Sequence, residues 1–322
     1  MRLAIIGSGS VSQSHIQAAQ KVGFFVSSIA SSDYSKTALS LSKKYNIPNY
    51  YENVQQLLNS DKYDCVALLT QPEVTQLLLP YLNFKNIPVL VEKPVALSSA
   101  FLKEFEYNTK IFVGYNRRFY QTINELNRIK MLSPGILTFS VIESLNHNLP
   151  INLGLENVIM KNTVHFFDLL NFLVPNFKLY DFVHSNYNYN CNWRIYSSNK
   201  FIGSFNLAFD SFKNSYIEFE NNQINICLKP IEKFYRYDMM RILQPNRGFS
   251  YKRYEPSNSL GKTKSIIVES GPFKPGFIAQ YQEFFNFCEM DSQTYKLANL
   301  KDARIALESA ESVLKMILKA LN

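Results

Sequence analysis

The first third of the chain alternates short apolar runs with amphipathic stretches. The apolar runs have the length of buried strands and cover residues 2–6, 24–30, 64–70, 88–91 and 110–113. Between them, residues 11–22, 35–45 and 74–82 place apolar side chains at helical spacing. Because strands that alternate with helices form βαβ units, this pattern predicts a parallel, doubly wound sheet over residues 1–118.

The pattern changes after residue 118. Aromatic and β-branched runs separated by polar turns predict strands over residues 135–144, 177–186, 192–196, 201–209, 215–220 and 224–228. Helices are predicted over residues 157–173, 272–288 and 301–321, and residues 229–270 favour no assignment. We therefore expect residues 119–322 to form an α+β domain with a largely antiparallel sheet.

Length and composition agree with two folded domains. The 322 residues are 46% hydrophobic and 19% charged, which excludes disorder. The net charge of +8 comes from scattered Lys and Arg, so it favours small anionic ligands and does not indicate nucleic-acid binding. No apolar run approaches the ~18 residues of a membrane span, and the N-terminal run is too short for a signal peptide. We expect a soluble, cytoplasmic protein whose four widely spaced cysteines are reduced and hold no metal.

A glycine-rich turn follows the first predicted strand and opens the first helix. It reads Gly7-x-Gly9-x-x-Ser12, where the first glycine permits the turn and the second lets a pyrophosphate approach the backbone. A phosphate would then lie at the helix N-terminus, where free N–H groups and the helix dipole favour negative charge. The turn predicts a dinucleotide site formed by Gly7, Ser8, Gly9, Ser10 and Val11.

The end of the second strand bears on the choice of cofactor. An acidic residue there would bind the ribose 2′-hydroxyl of NAD, but the strand ends at Ser31 and Ser32, and Asp33 comes later. The two serines suit a 2′-phosphate, with the charge of Lys36 nearby. NADP is therefore favoured, and NAD stays open. The remaining residues expected beside the cofactor end the third and fourth strands: Thr70, Gln71, Glu92 and Lys93.

Four segments together resemble the glucose–fructose oxidoreductase / inositol dehydrogenase / rhizopine-catabolism family of NAD(P)-dependent oxidoreductases. They are the Gly7-x-Gly9 turn with His15 in the next helix, Val91-Glu92-Lys93-Pro94, Gly114-Tyr115-Asn116-Arg117-Arg118-Phe119, and His165 within the helical stretch 163–170. The resemblance implies a Rossmann domain (1–118) followed by a substrate-binding and oligomerisation domain (119–322), with helix 301–321 placed to pack back on the first. It also implies a homodimer or homotetramer formed through the second domain's open sheet.

The resemblance assigns roles to individual residues. Lys93 and His165 are the expected catalytic pair: the ammonium binds the substrate oxygen and the imidazole acts as acid or base. The Lys93–Pro94 peptide is expected to be cis. Asn116, Arg117 and Lys161 are expected beside the substrate together with that pair. At least one arginine of the Arg117-Arg118 pair is expected to form a structural salt bridge between the domains. Asp168 is expected to take part in helix packing and Glu92 to support its loop. His15 is expected either to lie near the cofactor or to pack within its helix layer.

One position departs from the family pattern. Relatives often carry Asp four residues before the helical histidine, and this chain has Lys161. A cation there would lower the pKa of His165 or bind an anionic substrate.

The departure at Lys161 leaves more than one function open. The favoured hypothesis is an NAD(P)-dependent dehydrogenase or reductase. It would transfer a hydride to or from a hydroxyl or carbonyl carbon of a sugar, sugar nucleotide or polyol, in a setting such as surface-polysaccharide synthesis. The alternatives are a non-catalytic nucleotide-binding regulator or partner protein of the same fold and a glycoside hydrolase with a tightly held cofactor.

Overall fold

A computed structural model describes residues 1–185, 190–258, 267–269, 271–290 and 296–321. The chain divides into two compact units that are not continuous segments. Unit 1 comprises residues 1–119, 159–171 and 271–314, and unit 2 comprises residues 120–158, 172–270 and 315–322. Two late segments of the chain thus belong to the same unit as the N-terminal third.

Unit 1 is built on a seven-stranded sheet. Its strands are β1 (Arg2–Ile6), β2 (Phe25–Ala30), β3 (Asn49–Tyr50), β4 (Cys65–Leu68), β5 (Val89–Val91), β6 (Ile111–Val113) and β17 (Ala298–Asn299). The order is β17-β6-β5-β4-β1-β2-β3, and every pair is parallel except β17 with β6. Strands β1, β4, β5 and β6 are apolar on both faces and nearly all buried, as expected for a parallel sheet covered by helices.

The helices of unit 1 begin and end at recognisable signals. Ser35 and Asn53 cap α2 and α3 through their side chains, Pro72 lies in the first turn of α4, and Asn86 ends α4 in a left-handed conformation. The helices are α1 (Ser12–Lys21), α2 (Lys36–Lys44), α3 (Val54–Leu58), α4 (Pro72–Lys85), α5 (Ser99–Leu102) and α9 (Phe277–Met290). Aromatic side chains of α9 join the core that β1, β2 and α1 form.

Unit 2 contains an eight-stranded sheet. Its strands are β7 (Ile136–Glu143), β8 (Phe177–Ser185), β9 (Asn190–Ser197), β10 (Lys200–Phe209), β11 (Tyr216–Glu220), β12 (Asn225–Leu228), β13 (Lys233–Tyr237) and β16 (Ile267–Val268). The order is β16-β13-β12-β11-β7-β10-β9-β8, and all pairs are antiparallel except β7 with β10. Buried residues alternate with half-buried ones along β7 and β10, so one face packs inward. Helix α6 (Gln121–Leu132) and the separate hairpin β14 (Met239–Leu243) and β15 (Arg253–Ser257) complete the unit.

Two elements continue from one unit into the other. The first starts with α7 (Ile151–Val158), passes through a π turn (Ile159–Thr163) and ends with α8 (Val164–Leu173). The second is α10 (Leu300–Leu321), which belongs to unit 1 as far as Leu314. Within unit 1, Glu311 of α10 accepts hydrogen bonds from the main-chain N–H and the hydroxyl of Ser99 at 2.7 and 2.6 Å.

The predicted fold class is confirmed, but the structure changes several details, among them the unpredicted helices α3, α5 and α6. The single helix expected over residues 157–173 is interrupted by the π turn, because its continuous apolar pattern does not reveal a change of helical geometry. Residues 229–270, left without assignment, contain β13 to β16 where described. The predictions for residues 186–189, 259–266, 270 and 291–295 lie outside the described residues. Among the described helices, none combines the length and apolar character needed to cross a membrane.

Candidate active site

Gly7 makes the turn that follows β1. Its φ is +114°, a conformation that side-chain-bearing residues rarely adopt. A Cβ there would lie 2.4 Å from the main-chain oxygen of Leu69, so the turn requires glycine. The Gly7 N–H donates to Ala30 O at 2.8 Å, and the Ser12 hydroxyl donates to Gly7 O at 3.1 Å. These bonds fix the start of α1 against the ends of β1 and β2.

The next residues leave the N-terminus of α1 open. Gly9 is exposed, and a Cβ built on it meets nothing within 4 Å. Val11 caps the helix without a side-chain hydrogen bond, and the first turn carries no acidic residue. Because the first N–H groups of a helix lack intrahelical partners, this open end suits a pyrophosphate. The loop therefore fits a dinucleotide, with Gly7, Ser8, Gly9, Ser10 and Val11 around its phosphates.

The other residues predicted for the cofactor lie at the carboxyl ends of neighbouring strands, the edge where doubly wound sheets bind ligands. Ser31 is half-buried and Ser32 exposed after β2. The Ser8 hydroxyl lies 3.1 Å from that of Ser35 in the same region. After β4, the Thr70 hydroxyl lies 2.8 Å from the Thr75 hydroxyl, and the exposed Gln71 precedes α4.

Lys93 follows β5 at the same edge. The Lys93–Pro94 peptide is cis, as predicted. The Lys93 Nζ donates to the main-chain oxygen of Lys161 at 2.9 Å, whereas the Lys161 side chain is exposed. Lys161 lies in the π turn, a distortion that often marks functional sites. A main-chain carbonyl thus meets Lys93 beside the position where relatives often carry a carboxylate.

His165 lies four residues after Lys161 and is 7% exposed. Its Nδ1 has no hydrogen-bond partner among the described residues, and its ring meets the Tyr115 ring edge-on with centroids 5.7 Å apart. Burial lowers the pKa of His165 well below its usual value, and the charges of Lys93, Arg117 and Lys274 lower it further. The pKa of His165 is lowered, as expected for a cationic surrounding, but burial is the main cause, and the cations that add to it are Lys93, Arg117 and Lys274 and not Lys161.

The polar residues that follow β6 make different kinds of contact. Arg118 is 3% exposed and binds Asp168 through Nε and Nη2, at distances down to 2.6 Å, while its Nη1 lies 3.1 Å from Asp302. This salt bridge joins Arg118 of the predicted first domain to two aspartates of the predicted second, and in the structure all three residues belong to unit 1. Asn116 donates from Nδ2 to Pro275 O at 2.9 Å. Arg117 lies over the Phe166 ring, 4.5 Å from its centroid, next to His165 in sequence.

A buried hydrogen-bond network behind Lys93 was only partly foreseen. We call it the His15 network; it consists of Tyr281, His15, Glu92 and the main-chain N–H of Lys93. The Tyr281 hydroxyl lies 2.9 Å from His15 Nδ1, His15 Nε2 lies 2.7 Å from Glu92 Oε1, and the Lys93 N–H donates to Glu92 Oε2 at 2.9 Å. Tyr281 was missed, although a tyrosine hydroxyl on the buried, aromatic-rich face of α9, four residues after Phe277, is a usable signal.

The described part of the site shows no arrangement suited to a metal ion. Within the described ranges, no group of three or more His, Cys, Asp or Glu side chains is placed to hold one. The carboxylates of the site are already engaged, Glu92 by His15 and Asp168 by Arg118. Beside these paired carboxylates lie the open glycine turn, Lys93, whose Nζ donates to Lys161 O, and His165.

A parallel sheet with a glycine turn at its carboxyl edge, beside a lysine and a buried histidine, is typical of nucleotide-dependent oxidoreductases. Residues 1–107 match a family model described as "Oxidoreductase family, NAD-binding Rossmann fold", GFO_IDH_MocA. The family resemblance inferred from the sequence is therefore confirmed, and the match lies over the first third of the chain. The predicted class, a dehydrogenase that uses a nicotinamide cofactor, is confirmed with it.

Solved structures share the fold along almost the whole chain. UDP-N-acetylglucosamine 3-dehydrogenase from Acidithiobacillus ferrooxidans is 14% identical with a TM-score of 0.72, and the match covers 97% of this chain and 96% of that one. A myo-inositol dehydrogenase from Corynebacterium glutamicum is 17% identical with a TM-score of 0.71, covering 98% and 96%. A levoglucosan dehydrogenase in complex with NADH and levoglucosan is 13% identical with a TM-score of 0.73, covering 99% and 97%. No curated protein sequence matches the chain.

Proposed function

We propose that this protein transfers a hydride between a nicotinamide cofactor and a hydroxyl-bearing carbon of a sugar, sugar nucleotide or polyol. The observation that carries the proposal is the 2.9 Å hydrogen bond from Lys93 Nζ to Lys161 O. It brings the ammonium to the helix that carries His165, four residues further on. Fold similarity to dehydrogenases of UDP-N-acetylglucosamine, myo-inositol and levoglucosan supports a sugar-like substrate.

Lys93 and His165 supply the two functions that oxidation of an alcohol needs. Because its pKa is lowered, His165 is neutral near pH 7 and has a lone pair ready to accept the hydroxyl proton. The Lys93 ammonium donates to the same oxygen and stabilises the negative charge that develops there. When bound at the glycine turn, the nicotinamide ring accepts or returns the hydride. In the reductive direction, protonated His165 returns the proton.

The charges around His165 favour an anionic substrate. Lys93, Arg117 and Lys274 all act on it as cations, and the exposed Lys161 side chain adds another positive charge nearby. The Glu92 and Asp168 carboxylates are engaged by His15 and Arg118, so neither is proposed to bind the substrate. Asn116, Arg117 and Lys161 are proposed to bind the substrate with the catalytic pair. An acidic sugar or a sugar nucleotide therefore fits better than a neutral polyol.

The cofactor preference is proposed to be NADP. The end of β2 offers Ser31 and Ser32, with the exposed Lys36 at the start of α2. Hydroxyls and an ammonium suit a 2′-phosphate better than the carboxylate that NAD-specific sites use for the ribose. Thr70, Gln71 and Glu92 are proposed to line the same cofactor edge. A homodimer or homotetramer through the sheet of unit 2 is proposed as well, and light scattering of the purified protein tests it.

The test is a substrate panel measured by the absorbance of reduced nicotinamide. NAD and NADP are each combined with matched acidic and neutral sugars, for example a uronic acid and its parent hexose, and with UDP-sugars. We expect turnover of an acidic or nucleotide-linked sugar. The Lys93→Met variant should lose about 10²-fold or more in rate with unchanged NADPH binding, while Lys103→Met, an exposed lysine of unit 1, keeps wild-type activity. Full activity of Lys93→Met would exclude the proposed role.

A further inference from the structure

The His15 network joins three elements of unit 1 behind the proposed catalytic lysine. Tyr281 lies in α9, His15 in the helix that follows the glycine turn, and Glu92 at the end of β5. The side chains of His15 and Tyr281 are fully buried, and Glu92 is 9% exposed. The network is thus out of reach of the substrate, yet it ends on the main-chain N–H of Lys93.

The donors and acceptors of the network are mutually consistent. Burial raises the pKa of the Glu92 carboxyl, but the hydrogen bond and charge of His15 and the neighbouring Lys93 outweigh it, so its pKa lies below the usual value. The ionised carboxylate has only acceptors, so His15 donates from Nε2 to Oε1 and the Lys93 N–H donates to Oε2. The Tyr281 hydroxyl holds the other ring nitrogen at 2.9 Å, and the Phe277 ring packs edge-on against the imidazole at 4.7 Å.

We propose that His15 and Tyr281 are positioning residues, which fix the backbone of Lys93 through Glu92 and thereby aim its ammonium at the reacting oxygen. The proposal deepens the proposed function, since it concerns the same lysine. Neither His15 nor Tyr281 touches the substrate or the reacting atoms. Their effect comes from geometry, because an error of about 1 Å in a catalytic group can cost about 10²-fold in rate.

The alternative for these residues is a packing role without influence on Lys93. The Tyr281 ring is buried among Phe24, Phe277 and Phe284, and this packing stabilises unit 1 independently of the hydrogen bond of its hydroxyl. The chain offers a matched control for this hydroxyl. Tyr45 packs against the same core, and its hydroxyl is buried without a hydrogen-bond partner among the described residues. Tyr281→Phe and Tyr45→Phe therefore delete the same group from the same core, but only the first deletes a bond of the network.

The first arm of the test needs no substrate. Nitrogen-15 histidine NMR of the intact protein, which has four histidines, should show a slowly exchanging Nε2-bound proton on His15, assigned with His15→Gln. Tyr281→Phe should speed the solvent exchange of this proton about 10-fold or more, and Tyr45→Phe should leave it unchanged. A His15 imidazole proton that exchanges freely in the wild type would overturn the network itself.

The second arm measures kcat, KM and NADPH affinity with the sugar that the panel identifies. We expect Tyr281→Phe to lower kcat about 10-fold and His15→Leu about 10²-fold, with NADPH affinity within about 2-fold of the wild type. His15→Gln, whose amide can bridge the hydroxyl and the carboxylate, should recover most of the loss. Tyr45→Phe should change neither kcat nor KM. If His15→Leu fails to fold, the kcat values of Tyr281→Phe and His15→Gln decide whether the network positions Lys93.

The outcomes separate this proposal from the proposed function. A variant Tyr281→Phe that melts earlier but keeps wild-type kcat would show a packing role and overturn the positioning role. If the wild-type protein turns over no sugar of the panel, the proposed function fails, while the NMR arm still decides whether the His15 network holds the lysine loop.

Discussion

The two glycines of the dinucleotide turn should respond oppositely to the same substitution. In Gly7→Ala the new methyl group meets the main-chain oxygen of Leu69 at 2.4 Å, and the residue has a φ of +114°. The backbone strain costs about 1–3 kcal/mol, and the overlap costs a similar ~1–3 kcal/mol. In Gly9→Ala the methyl group meets nothing within 4 Å, so the free energy of unfolding should change by no more than about 0.5 kcal/mol.

Cofactor affinity should show the reverse order. The Gly9→Ala methyl group occupies the space through which a pyrophosphate approaches the N-terminus of α1. Losing one charge-assisted hydrogen bond there costs about 1.5–3 kcal/mol, which is about 10- to 150-fold in the Kd of NADPH. Gly154→Ala in α7 serves as the control, because its methyl group comes no closer than 3.7 Å to the main-chain oxygen of Asn146 and the residue belongs to unit 2.

The assay combines thermal unfolding with calorimetric titration of NADPH and NADH. Gly7→Ala should melt several degrees below the wild type, at about 2–4 °C per kcal/mol for a domain of this size. Gly9→Ala should melt with the wild type and bind both cofactors more weakly. Wild-type affinity in Gly9→Ala, or wild-type stability in Gly7→Ala, would refute the assignment of the turn.

Three further predictions concern the neighbouring side chains. Because the pKa of His165 is lowered in the folded protein, the unfolded protein binds more protons at acid pH. The free energy of unfolding should therefore fall as the pH drops below about 6.5, and it should fall less steeply in His165→Gln. Equal pH dependence in the two proteins would contradict the lowered pKa. Asp168→Asn should lower the free energy of unfolding in urea by about 3–5 kcal/mol, since it leaves Arg118 buried with a weakened partner. Glu125→Gln, which removes the charge from the exposed pair with Arg128, should lower it by less than about 1 kcal/mol. Lys161→Ala keeps the carbonyl that holds Lys93 and should raise KM for an acidic sugar without lowering kcat; a fall in kcat alone would show that the side chain acts in the reaction.

Features that depend on the local pattern of apolar and polar residues could be predicted from the sequence. The strands β1, β4, β5 and β6 read as uninterrupted apolar runs because they are buried on both faces. The glycine turn was visible because Gly7 is the residue type that its φ demands. The cis peptide at Lys93–Pro94 followed from the family resemblance and not from any local pattern.

Contacts between distant parts of the chain could not be predicted from the local pattern of apolar and polar residues. Strand β17 has two residues, Ala298 and Asn299, too few for a periodicity. The Arg118, Asp168 and Asp302 cluster joins three separate segments, and no sequence spacing reveals which carboxylates an arginine will meet. Residue 161 meets Lys93 through its main-chain carbonyl in the π turn, a contact that the spacing of four residues to His165 does not indicate.

The central claim, a nicotinamide site in unit 1, is tested most directly by titrating the purified protein with NADPH and NADH while following nicotinamide fluorescence. The account predicts saturable binding with a Kd of about 1 μM to 1 mM, tighter for NADPH. It would be contradicted by a folded protein that binds neither cofactor and carries no nicotinamide absorbance of its own.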